Sequence, residues 1–494
     1  MVRMDTLASL TISGYRLFKE ARTINFQKPD TDKLGLNIIV GPNNVGKSSI
    51  LNLVGTSYFS QVNREDWTSE SPYVIVDTGD KKATIKYIKS QTNPVVSQQP
   101  EGQWPNLMAM YLPSDRRWAF EASNVYVGMM PAGNPIPTDT DRINQLWQVS
   151  QNVSTNYGTI QNFEETRKPN ENFLSTLLVI SESDGLTQKY SSLVKEFIPN
   201  YTGFELLRRR GNKYQVLYKS TQSNKVIDMA LVGDGVQTIM VICAYLLLIR
   251  ESRAGAINGV QQQVSMLVLD EPETSLHPQA QKMLYEHIKE ISQNTQVIMA
   301  THSPYMVSWD IIPNGAKIIR IVSEDGEQAE VYELSAEKHS DIRFSTQPRR
   351  QSNLDIISRE IVFTNRILMV EGLDDANILR HYISDEKLEV GFEICGHGAD
   401  GASNILNWLK LANALGIKAA AIYDNDVSEC YNEAIAVFGG NLVKKWSADD
   451  IRDKPQGNKP KIGLFNEDGS IKDSSKKEVE DTLQAIDRAL LKEV

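Results

Sequence analysis

The chain has 494 residues, 41% hydrophobic and 23% charged, which excludes a single small module and a largely disordered chain. The net charge of −10 excludes a surface that is basic throughout, as a general nucleic-acid coat would need. The longest apolar run, residues 239–249, is too short to cross a bilayer, and residues 1–5 show no secretory leader. Three separated cysteines argue against a disulfide framework or a zinc cluster. We therefore expect a cytoplasmic protein without a membrane segment.

The first part of the chain has the strand-rich pattern of a nucleotide-binding fold. Leu36–Val40 is an apolar strand that leads into a glycine-rich loop at residues 41–49, and the run at 50–54 continues as a helix. The other strand-like runs of this part are residues 7–12, 23–26, 73–77 and 83–88.

The glycine-rich loop matches the P-loop pattern in sequence and in its position between a strand and a helix. Its glycines let backbone N–H groups curl around phosphate oxygens, Lys47 brings a positive charge to the β- and γ-phosphates, and the Ser48 hydroxyl can bind Mg²⁺. The loop therefore predicts an ATP site. The predicted nucleotide-binding residues are Gly41, Asn43, Asn44, Gly46, Lys47, Ser48 and Ser49.

The middle of the chain predicts an insertion and then a parallel sheet. Polar residues with helical periodicity over about 118–200 indicate a helical insertion, and residues 204–210 and 214–219 form a hairpin pattern. The apolar run 239–249 is typical of a buried helix. Strand patterns at residues 266–269, 296–300 and 317–321, with a helix over 278–291 between the first two, indicate a parallel β/α arrangement.

Acidic and histidine side chains follow two of these strands. Asp270 ends the first strand, where a carboxylate can hold the Mg²⁺ shell, and Glu271 beside it can polarise the attacking water. His302 follows the second strand and can bond the γ-phosphate or that water. These three residues supply the groups for the Mg²⁺ shell and for the attacking water, which the P-loop alone lacks. The sequence therefore predicts ATP hydrolysis.

A polar boundary over residues 335–353 precedes a second β/α alternation. The predicted division is an ATPase domain at 1–340, a linker at 341–360 and a second domain at 361–494. In the second domain, strand patterns at residues 367–370, 389–394 and 417–423 alternate with helical patterns at 376–383 and 402–415, and a last helix is predicted over 479–492. The whole chain is therefore expected to be α/β.

Carboxylates follow two strands of the second domain. Glu371, Asp374 and Asp375 come after the first strand, and Asp424 and Asp426 after the third. Residues two apart on a strand face the same way, so Asp424 and Asp426 can share one cation. Oxygen ligands suit Mg²⁺ or Mn²⁺ better than zinc, and two such ions can activate water for attack on a phosphodiester. The pattern predicts a metal site.

The motifs of the first half resemble those of ABC-type ATPases of the RecF, SMC and OLD (overcoming lysogenization defect) group. The resemblance rests on residues 270–278 followed by 301–304, and the pair Asn43-Asn44 is especially similar to OLD nucleases. It implies that Gly233 and Gly235 belong to the signature motif, which completes the ATP site of a second subunit. A homodimer or larger homo-oligomer is therefore expected. Gly233 departs from the usual serine of that motif.

The order of acids in the second half resembles the Toprim domain of topoisomerases, primases and OLD nucleases, a Rossmann-like fold. The resemblance implies that Glu371, Asp424 and Asp426 bind metal and that Asp375 assists. OLD nucleases also use a later acid and a lysine, for which the candidates are Asp449 or Asp450, and Lys476 or Lys477.

The fold implied is thus an ABC-type P-loop ATPase domain with a helical insertion, followed by a Toprim domain. The function implied is an ATP-regulated, Mg²⁺-dependent DNA endonuclease or nickase used in anti-phage defence. Members of the family act alone, with a helicase-like partner, or beside a reverse transcriptase and its DNA product, and the sequence does not choose among these arrangements.

Two other functions remain open from the sequence. The first is an ATP-dependent sensor or scaffold whose Toprim domain is catalytically silent and that acts through a partner. The second is a strand-passing or priming enzyme. The sequence argues against it, because it shows no candidate tyrosine-bearing cleavage domain and no zinc-binding module. The basic runs at 207–213 and 348–350 are either DNA contacts or solvated surface. Gln91 is the candidate for the Q-loop glutamine.

Overall fold

The computed structural model describes residues 5–55, 68–69, 72–86, 109–112, 177, 180–181, 183–208, 214–254, 266–324, 326–340, 342, 359–454 and 461–492. The chain divides into two compact units. The first comprises the described parts of Met1–Ile39, Gly46–Met306 and Ser323–Ala329, and the second those of Val40–Val45, Val307–Val322 and Glu330–Val494. No helix within these described ranges is both long and apolar enough to cross a membrane.

The first unit contains eleven described strands and four described α-helices. In chain order they are β1 (Ser9–Ser13), β2 (Arg22–Asn25), β3 (Leu36–Val40), α1 (Lys47–Gly55), β4 (Tyr73–Asp77), β5 (Lys82–Lys86), β6 (Ala109–Leu112), α2 (Asp184–Phe197), β7 (Tyr201–Arg208), β8 (Tyr214–Ser220), β9 (Ser223–Asp228), α3 (Asp234–Ala254), β10 (Met266–Asp270), α4 (Pro278–Ser292) and β11 (Gln296–Ala300). Short 3₁₀ turns lie at Met229–Leu231 and Pro304–Met306.

A parallel sheet lies at the centre of this unit, with strand order β3-β11-β10-β6. Every residue of β3, β10 and β11 is buried, as expected of strands covered on both faces. Parallel strands place their carboxyl ends at one edge of the sheet. The start of α1 at Lys47 and Ser48, Asp270 at the end of β10 and Thr301 after β11 are therefore brought to the same edge.

Two antiparallel sheets complete the first unit. One has the order β2-β1-β4-β5, with side chains that alternate between buried and half-buried along β1 and β4. The other, β7-β8-β9, begins with the predicted hairpin. The helix α3 includes the predicted apolar run 239–249, and nearly all of that run is buried. The helix α4 starts with Pro278 at its first position and is capped by His277.

The second unit contains six described strands and five described α-helices. They are β12 (Lys317–Val322), β13 (Glu330–Leu334), α5 (Ala336–Ser340), β14 (Arg366–Met369), α6 (Leu373–Asp385), β15 (Glu393–Ile394), α7 (Ala402–Ala414), β16 (Lys418–Tyr423), α8 (Ser428–Phe438), β17 (Val443–Lys445) and α9 (Asp473–Lys492). A 3₁₀ turn at Glu360–Phe363 precedes β14.

The strands β14 to β17 form a parallel sheet of order β15-β14-β16-β17, while β12 and β13 pair antiparallel. The helix α9 packs on this sheet through Val479, Leu483, Ile486 and Leu490, which are fully buried at helical spacing. The register pairs Arg366 with Lys418 and Met369 with Ala421. Glu371 and Asp424, which follow these strands, therefore come to the same edge of the sheet.

The predicted α/β class is confirmed, and most predicted elements match described ones within a few residues. The predicted strand at 389–394 is shorter than expected, because only Glu393–Ile394 pairs with β14. The sequence patterns did not indicate β13, α8 or β17. Most of the helical insertion, Gln91, residues 209–213 and residues 348–350 lie outside the described residues.

Candidate active sites

The glycine-rich phosphate loop at residues 41–49 follows the buried strand β3 and adopts backbone conformations that favour glycine. Gly41 has φ +140° and Asn44 has φ +62°. A Cβ atom on Gly41 would lie 2.0 Å from the carbonyl oxygen of Ile321, so only glycine fits there. The start of the loop is thereby fixed by the backbone of β12. Asn43 lies in the same loop, and its predicted role remains a prediction.

Lys47 and Ser48 begin α1 and face the end of β10. The Ser48 hydroxyl donates to Asp270 Oδ1 at 3.2 Å, which joins the two residues predicted to hold Mg²⁺. Burial lowers the pKa of Lys47 to about 8, against the opposing effect of the nearby carboxylates of Glu271 and Asp270. An anionic ligand such as a phosphate would stabilise the charged form of this buried ammonium. The buried Ser49 hydroxyl accepts from Arg16 at 2.9 Å.

Glu271 and His302 lie together beside this lysine. Glu271 Oε1 and His302 Nε2 are 3.5 Å apart, and both side chains are about one-third exposed. Glu271 has φ +46°, a strained conformation for a non-glycine residue, and its N–H donates to Ala300 O at 2.9 Å. Burial, with a smaller contribution from the charge of Lys47, lowers the pKa of His302, which favours a neutral imidazole at pH 7.

Glu273 holds the turn after β11, a role that sequence reasoning missed. Its Oε1 accepts from the Thr301 hydroxyl at 2.7 Å and from the His302 N–H at 2.8 Å. The side chain is 7% exposed, and burial raises its pKa. Glu273 therefore fixes the backbone from which His302 projects. The acid at this position of the motif was visible in the sequence, but its partners were not.

The two glycines predicted to belong to the signature motif, Gly233 and Gly235, differ in their surroundings. A Cβ on Gly235 would lie 2.6 Å from the carbonyl oxygen of Ser275, whereas a Cβ on Gly233 would meet no described atom within 4 Å. Gly233 and the neighbouring Asp234 are exposed. The expected contact of this motif with the nucleotide of a second subunit remains a prediction.

Three aspartates form the centre of the acidic cluster at the edge of the β14–β17 sheet. Carboxylate oxygens of Asp375, Asp424 and Asp450 all lie within 4.8 Å of one another. The three residues are only 9%, 8% and 3% exposed. Buried acids this close repel each other unless a cation or protons compensate. Their oxygens are ligands that hard divalent cations prefer, so the donor set fits Mg²⁺ or Mn²⁺.

Glu371 joins this cluster through the backbone of Asp424. Its Oε1 accepts from the Asp424 N–H at 2.9 Å, so the two acids predicted to share a metal do lie together. Asp375 lies in the first turn of α6 and accepts from the N–H of Gly372 at 2.7 Å, which closes that turn. Burial is the main cause that raises the pKa of Glu371, the pKa of Asp375 to about 6 and the pKa of Asp424 to about 8.

The turn that carries Glu371 is packed against the loop after β15. Gly398 has φ +76°, and a Cβ on it would lie 2.6 Å from the carbonyl carbon of Gly372. The N–H groups of Ala399 and Gly401 donate to the carbonyls of Val370 and Glu371, each at 2.8 Å. These backbone contacts, together with the bond from the Gly372 N–H to Asp375, hold the Glu371 turn, and the Glu371 carboxylate faces the Asp424 N–H.

Two lysines compensate part of the negative charge. Lys461 Nζ lies 2.6 Å from Asp426 Oδ2 and 3.7 Å from Asp450 Oδ2, and Lys454 Nζ lies 2.6 Å from Asp450 Oδ2. Sequence reasoning missed both lysines because they lie in a segment without a regular pattern, residues 451–472. Asp426 thus faces a lysine, and its predicted metal role remains a prediction.

The other candidates for the later acid and lysine are elsewhere. Asp449 Oδ1 accepts from the side chain of Asn425 at 3.1 Å. Lys476 Nζ pairs with Glu386 Oε2 at 2.6 Å, and Lys477 is exposed on α9. Neither lysine has a described contact with the aspartate cluster. Of the two later acids proposed from the sequence, Asp450 is the one within that cluster.

The raised pKa values make a prediction for the metal-free protein. The pKa of Asp424 is about 8 in the folded protein and 3.8 in the unfolded chain. The folded protein therefore loses stability as the pH rises from 3.8 to about 8, because the unfolded chain releases this proton first. We expect metal-free protein in chelator to melt at a lower temperature at pH 8 than at pH 6. Asp424→Asn should remove much of this slope and stabilise the metal-free fold at pH 8 by on the order of 2–4 kcal/mol.

The matched control for this prediction is Asp374→Asn. Asp374 is the neighbour of Asp375, but it pairs with Arg452 at 2.7 Å on the surface. Its replacement should leave the pH dependence of the melting temperature unchanged. An unchanged slope in Asp424→Asn, measured by calorimetry at several pH values, would contradict the assigned burial and charge repulsion.

The fold and the two sites define a P-loop ATPase joined to a Toprim domain. Residues 36–308, more than half of the chain, match the family described as "AAA domain, putative AbiEii toxin, Type IV TA system", and the chain belongs to that family. Residues 362–426 match the family described as "Overcoming lysogenization defect protein-like, TOPRIM domain". The predicted resemblance to the OLD family is thereby confirmed, with the matched Toprim segment ending at Asp426.

Curated relatives agree with these matches. The chain is 26% identical to the Old nuclease of Escherichia phage P2 over 220 residues, which is 42% of this chain and 36% of that protein. It is 25% identical to the endonuclease GajA of Bacillus cereus over 234 residues, 43% of this chain and 33% of that protein. The matched region thus spans about a third of the length of these relatives.

Solved structures with a similar course of the chain include Smc head domains. One, bound to the C-winged helix domain of ScpA, has a TM-score of 0.42 and 13% identity, and the match covers 68% of this chain and 99% of that chain. Another, an Smc head derived from Pyrococcus furiosus with an extended coiled coil, has a TM-score of 0.41 and 14% identity, and covers 69% of this chain and 98% of that chain.

Proposed function

We propose that this protein is an ATP-regulated DNA endonuclease or nickase that depends on Mg²⁺ or Mn²⁺ and acts in defence against phage. The observation that carries the proposal is the buried cluster of Asp375, Asp424 and Asp450, with Glu371 bonded to the backbone of Asp424. The names of the relatives, Old nuclease and endonuclease GajA, support the same reaction class. DNA as the substrate follows from that class.

In this proposal the aspartate cluster and Glu371 hold one or two divalent cations. Bound there, the cation supplies a polarised water and a positive charge for the phosphodiester. Asp375 and Asp424 are positioned by the first turn of α6 and the end of β16, so their oxygens need little rearrangement to serve as ligands. Lys461, at 2.6 Å from Asp426, brings a positive charge to the edge where a phosphate would approach.

The ATPase half of the proposal uses the residues gathered at the end of the β3-β11-β10-β6 sheet. Lys47 binds the β- and γ-phosphates, and Ser48 with Asp270 holds the nucleotide's Mg²⁺. Glu271 orients and polarises the attacking water, and the neutral His302 lies 3.5 Å from it to contact the γ-phosphate or the same water. Gly233 and Gly235 would complete the site of a second copy in a homodimer or larger oligomer.

A metal titration with plasmid DNA tests the proposal. We expect supercoiled plasmid to be nicked or linearised with Mg²⁺ or Mn²⁺, to stay intact with EDTA, and to be cut at a different rate when ATP replaces ADP. The Lys47→Ala variant, which lacks the charge for the phosphates, should lose that nucleotide dependence. Plasmid that stays supercoiled at every metal concentration, with ATP hydrolysis intact, would favour the sensor or scaffold function instead.

The remaining predictions belong to the same proposal. The division into an ATPase domain at 1–340, a linker at 341–360 and a Toprim domain at 361–494 is a proposal. We also propose a cytoplasmic location and a partner that is helicase-like or a reverse transcriptase with its DNA product. Purification of the tagged chain from its native cells, followed by mass determination of the native assembly, tests both the oligomer and the partner.

A further inference from the structure

A buried arginine in β12 holds the beginnings of the two strands that carry the metal-binding acids. Arg320 is fully buried, at 0% exposure. Its guanidinium donates five hydrogen bonds: Nε to Val362 O at 3.0 Å, Nη1 to Leu415 O at 3.1 Å and Gly416 O at 3.2 Å, and Nη2 to Thr364 O at 2.6 Å and Asn365 Oδ1 at 3.0 Å. All five acceptors are uncharged oxygens.

These acceptors belong to two short connections. Leu415 and Gly416 end α7 and lead into β16, and residues 362–365 end a 3₁₀ turn and lead into β14. The carbonyl ends of helical turns carry partial negative charge, which explains how a cation can stay buried there without an acidic partner among its described contacts. Lysine could not replace this pattern, because its three donors lack the planar fork.

The two connections lead into the strands that end just before Glu371 and Asp424. Asn365 directly precedes β14, which leads to Glu371, and Gly416 lies two residues before β16, which leads to Asp424. The Lys418 N–H donates to Asn365 O at 3.0 Å, so the strands start in fixed register. A strand transmits a shift of its start to its end, since paired parallel strands do not stretch. Arg320 therefore bonds to the chain just before both strands, at the end of the sheet opposite to Glu371 and Asp424.

The same strand touches the start of the phosphate loop. The residues of the loop at Val40–Val45 belong to the second unit, as do β12 and the Toprim strands. Ile321, the neighbour of Arg320, places its carbonyl oxygen 2.0 Å from where a Cβ of Gly41 would lie. A displacement of the loop at Gly41 thus acts directly on the backbone beside Arg320.

We propose that Arg320 is a positioning residue through which the phosphate loop sets the register of β14 against β16, and with it the geometry of the carboxylate cluster. The inference rests on the proposed ATP regulation of the Toprim site. In this link, the loop at Gly41 contacts β12 at Ile321, and the neighbouring Arg320 bonds to the connections at residues 362–365 and 415–416. These connections lead through β14 and β16 to Glu371 and Asp424.

Hydrogen exchange tests the link without relying on DNA cleavage. In the full chain, a non-hydrolysable ATP analogue with Mg²⁺ should change amide exchange about twofold or more in peptides that cover residues 366–371 and 418–424. The Arg320→Lys variant should lose this change. Arg380→Lys is the matched control, because Arg380 also donates to backbone carbonyls, Ile394 O and Gly396 O, but touches neither connection. It should keep the change.

Cleavage and hydrolysis give the second measurement. In Arg320→Lys, the ratio of cleavage rates with ATP and with ADP should move toward one while ATP hydrolysis stays within about threefold of the wild type. If Arg320→Lys does not fold, the Asn365→Ala variant takes its place, because it removes one of the five acceptors at an exposed position. This variant should partly reduce the effect of the nucleotide on amide exchange.

Three results would overturn the link: no nucleotide effect on either peptide in the wild type, a full effect in a folded Arg320→Lys, or a full effect in Asn365→Ala when the lysine variant is unfolded. A wild type that does not cut DNA but shows the Arg320-dependent exchange change would remove the proposed nuclease function and leave the link supported. The two failures are therefore distinguishable.

Discussion

Replacement of Asp424 by asparagine should lower metal-dependent DNA cleavage about 10³-fold or more. The substitution keeps the size of the side chain and its place at the end of β16, but it removes one negative charge from the centre of the cluster. A divalent cation supplies several kcal/mol of transition-state stabilisation in such sites, and about 1.4 kcal/mol corresponds to a factor of ten in rate. Plasmid nicking measured over a range of Mn²⁺ concentrations gives the loss and shows whether more metal restores the rate.

Two controls separate metal binding from folding in this experiment. Asp374→Asn changes the acid next to Asp375 that pairs with Arg452, and it should cut DNA within about threefold of the wild type. ATP hydrolysis should be retained in both variants, because the nucleotide residues belong to another sheet. If Asp424→Asn cut DNA at the wild-type rate, the cluster would not be the catalytic site, and the silent-Toprim alternative would become the better account.

The ATP site was predictable from sequence because its residues follow strands with strong patterns. Met266–Asp270 and Gln296–Ala300 are continuous apolar runs, so their ends, and the side chains at those ends, could be located to within one residue. Parallel pairing then brings them to one edge. The role of Glu273 was not predictable, since its hydrogen bonds to Thr301 and His302 join residues 28 and 29 positions apart.

The acidic cluster was predictable only in part, because only some of its residues follow strands with a regular pattern. Glu371 and Asp424 follow regular strands, whereas Asp450 lies after the short strand β17 in a segment held by isolated bridges such as Arg452 with Phe465. No periodic pattern marks such a segment, so the sequence left Asp449 and Asp450 as equal candidates. Their separation depends on packing: Asp450 is 3% exposed, while Asp449 bonds to Asn425 at the surface.

The choice of lysine shows the limit of reasoning from position along the chain. The resemblance to OLD nucleases points to Lys476 or Lys477, which precede the helix predicted over 479–492, but the helix starts earlier, at Asp473. Both lysines are therefore on its first turns, where Lys476 pairs with Glu386. Lys461, which follows the undescribed residues 455–460, lies at the cluster instead. Only the three-dimensional arrangement distinguishes a lysine beside the acids from a lysine on the surface.

Replacement of Glu271 by glutamine should lower ATP hydrolysis by about 10²- to 10³-fold and leave nucleotide binding close to that of the wild type. The carboxylate lies 3.5 Å from His302 Nε2, and the left-handed backbone at Glu271 aims it from the end of β10. Loss of a group that polarises the attacking water has effects of this size. In the proposed ATP site, binding depends instead on Lys47, Ser48 and Asp270, which the substitution does not replace.

Steady-state hydrolysis and equilibrium binding of a fluorescent ATP analogue measure the two effects separately. Glu286→Gln is a suitable control, because this acid is exposed on α4 and pairs with Lys289, which is not among the residues gathered around Lys47. Because the Glu271→Gln variant holds ATP without consuming it, its DNA cleavage with ATP should equal that of the wild type with a non-hydrolysable analogue. Wild-type hydrolysis in Glu271→Gln would show that another group activates the water, and His302 would then be the first residue to replace.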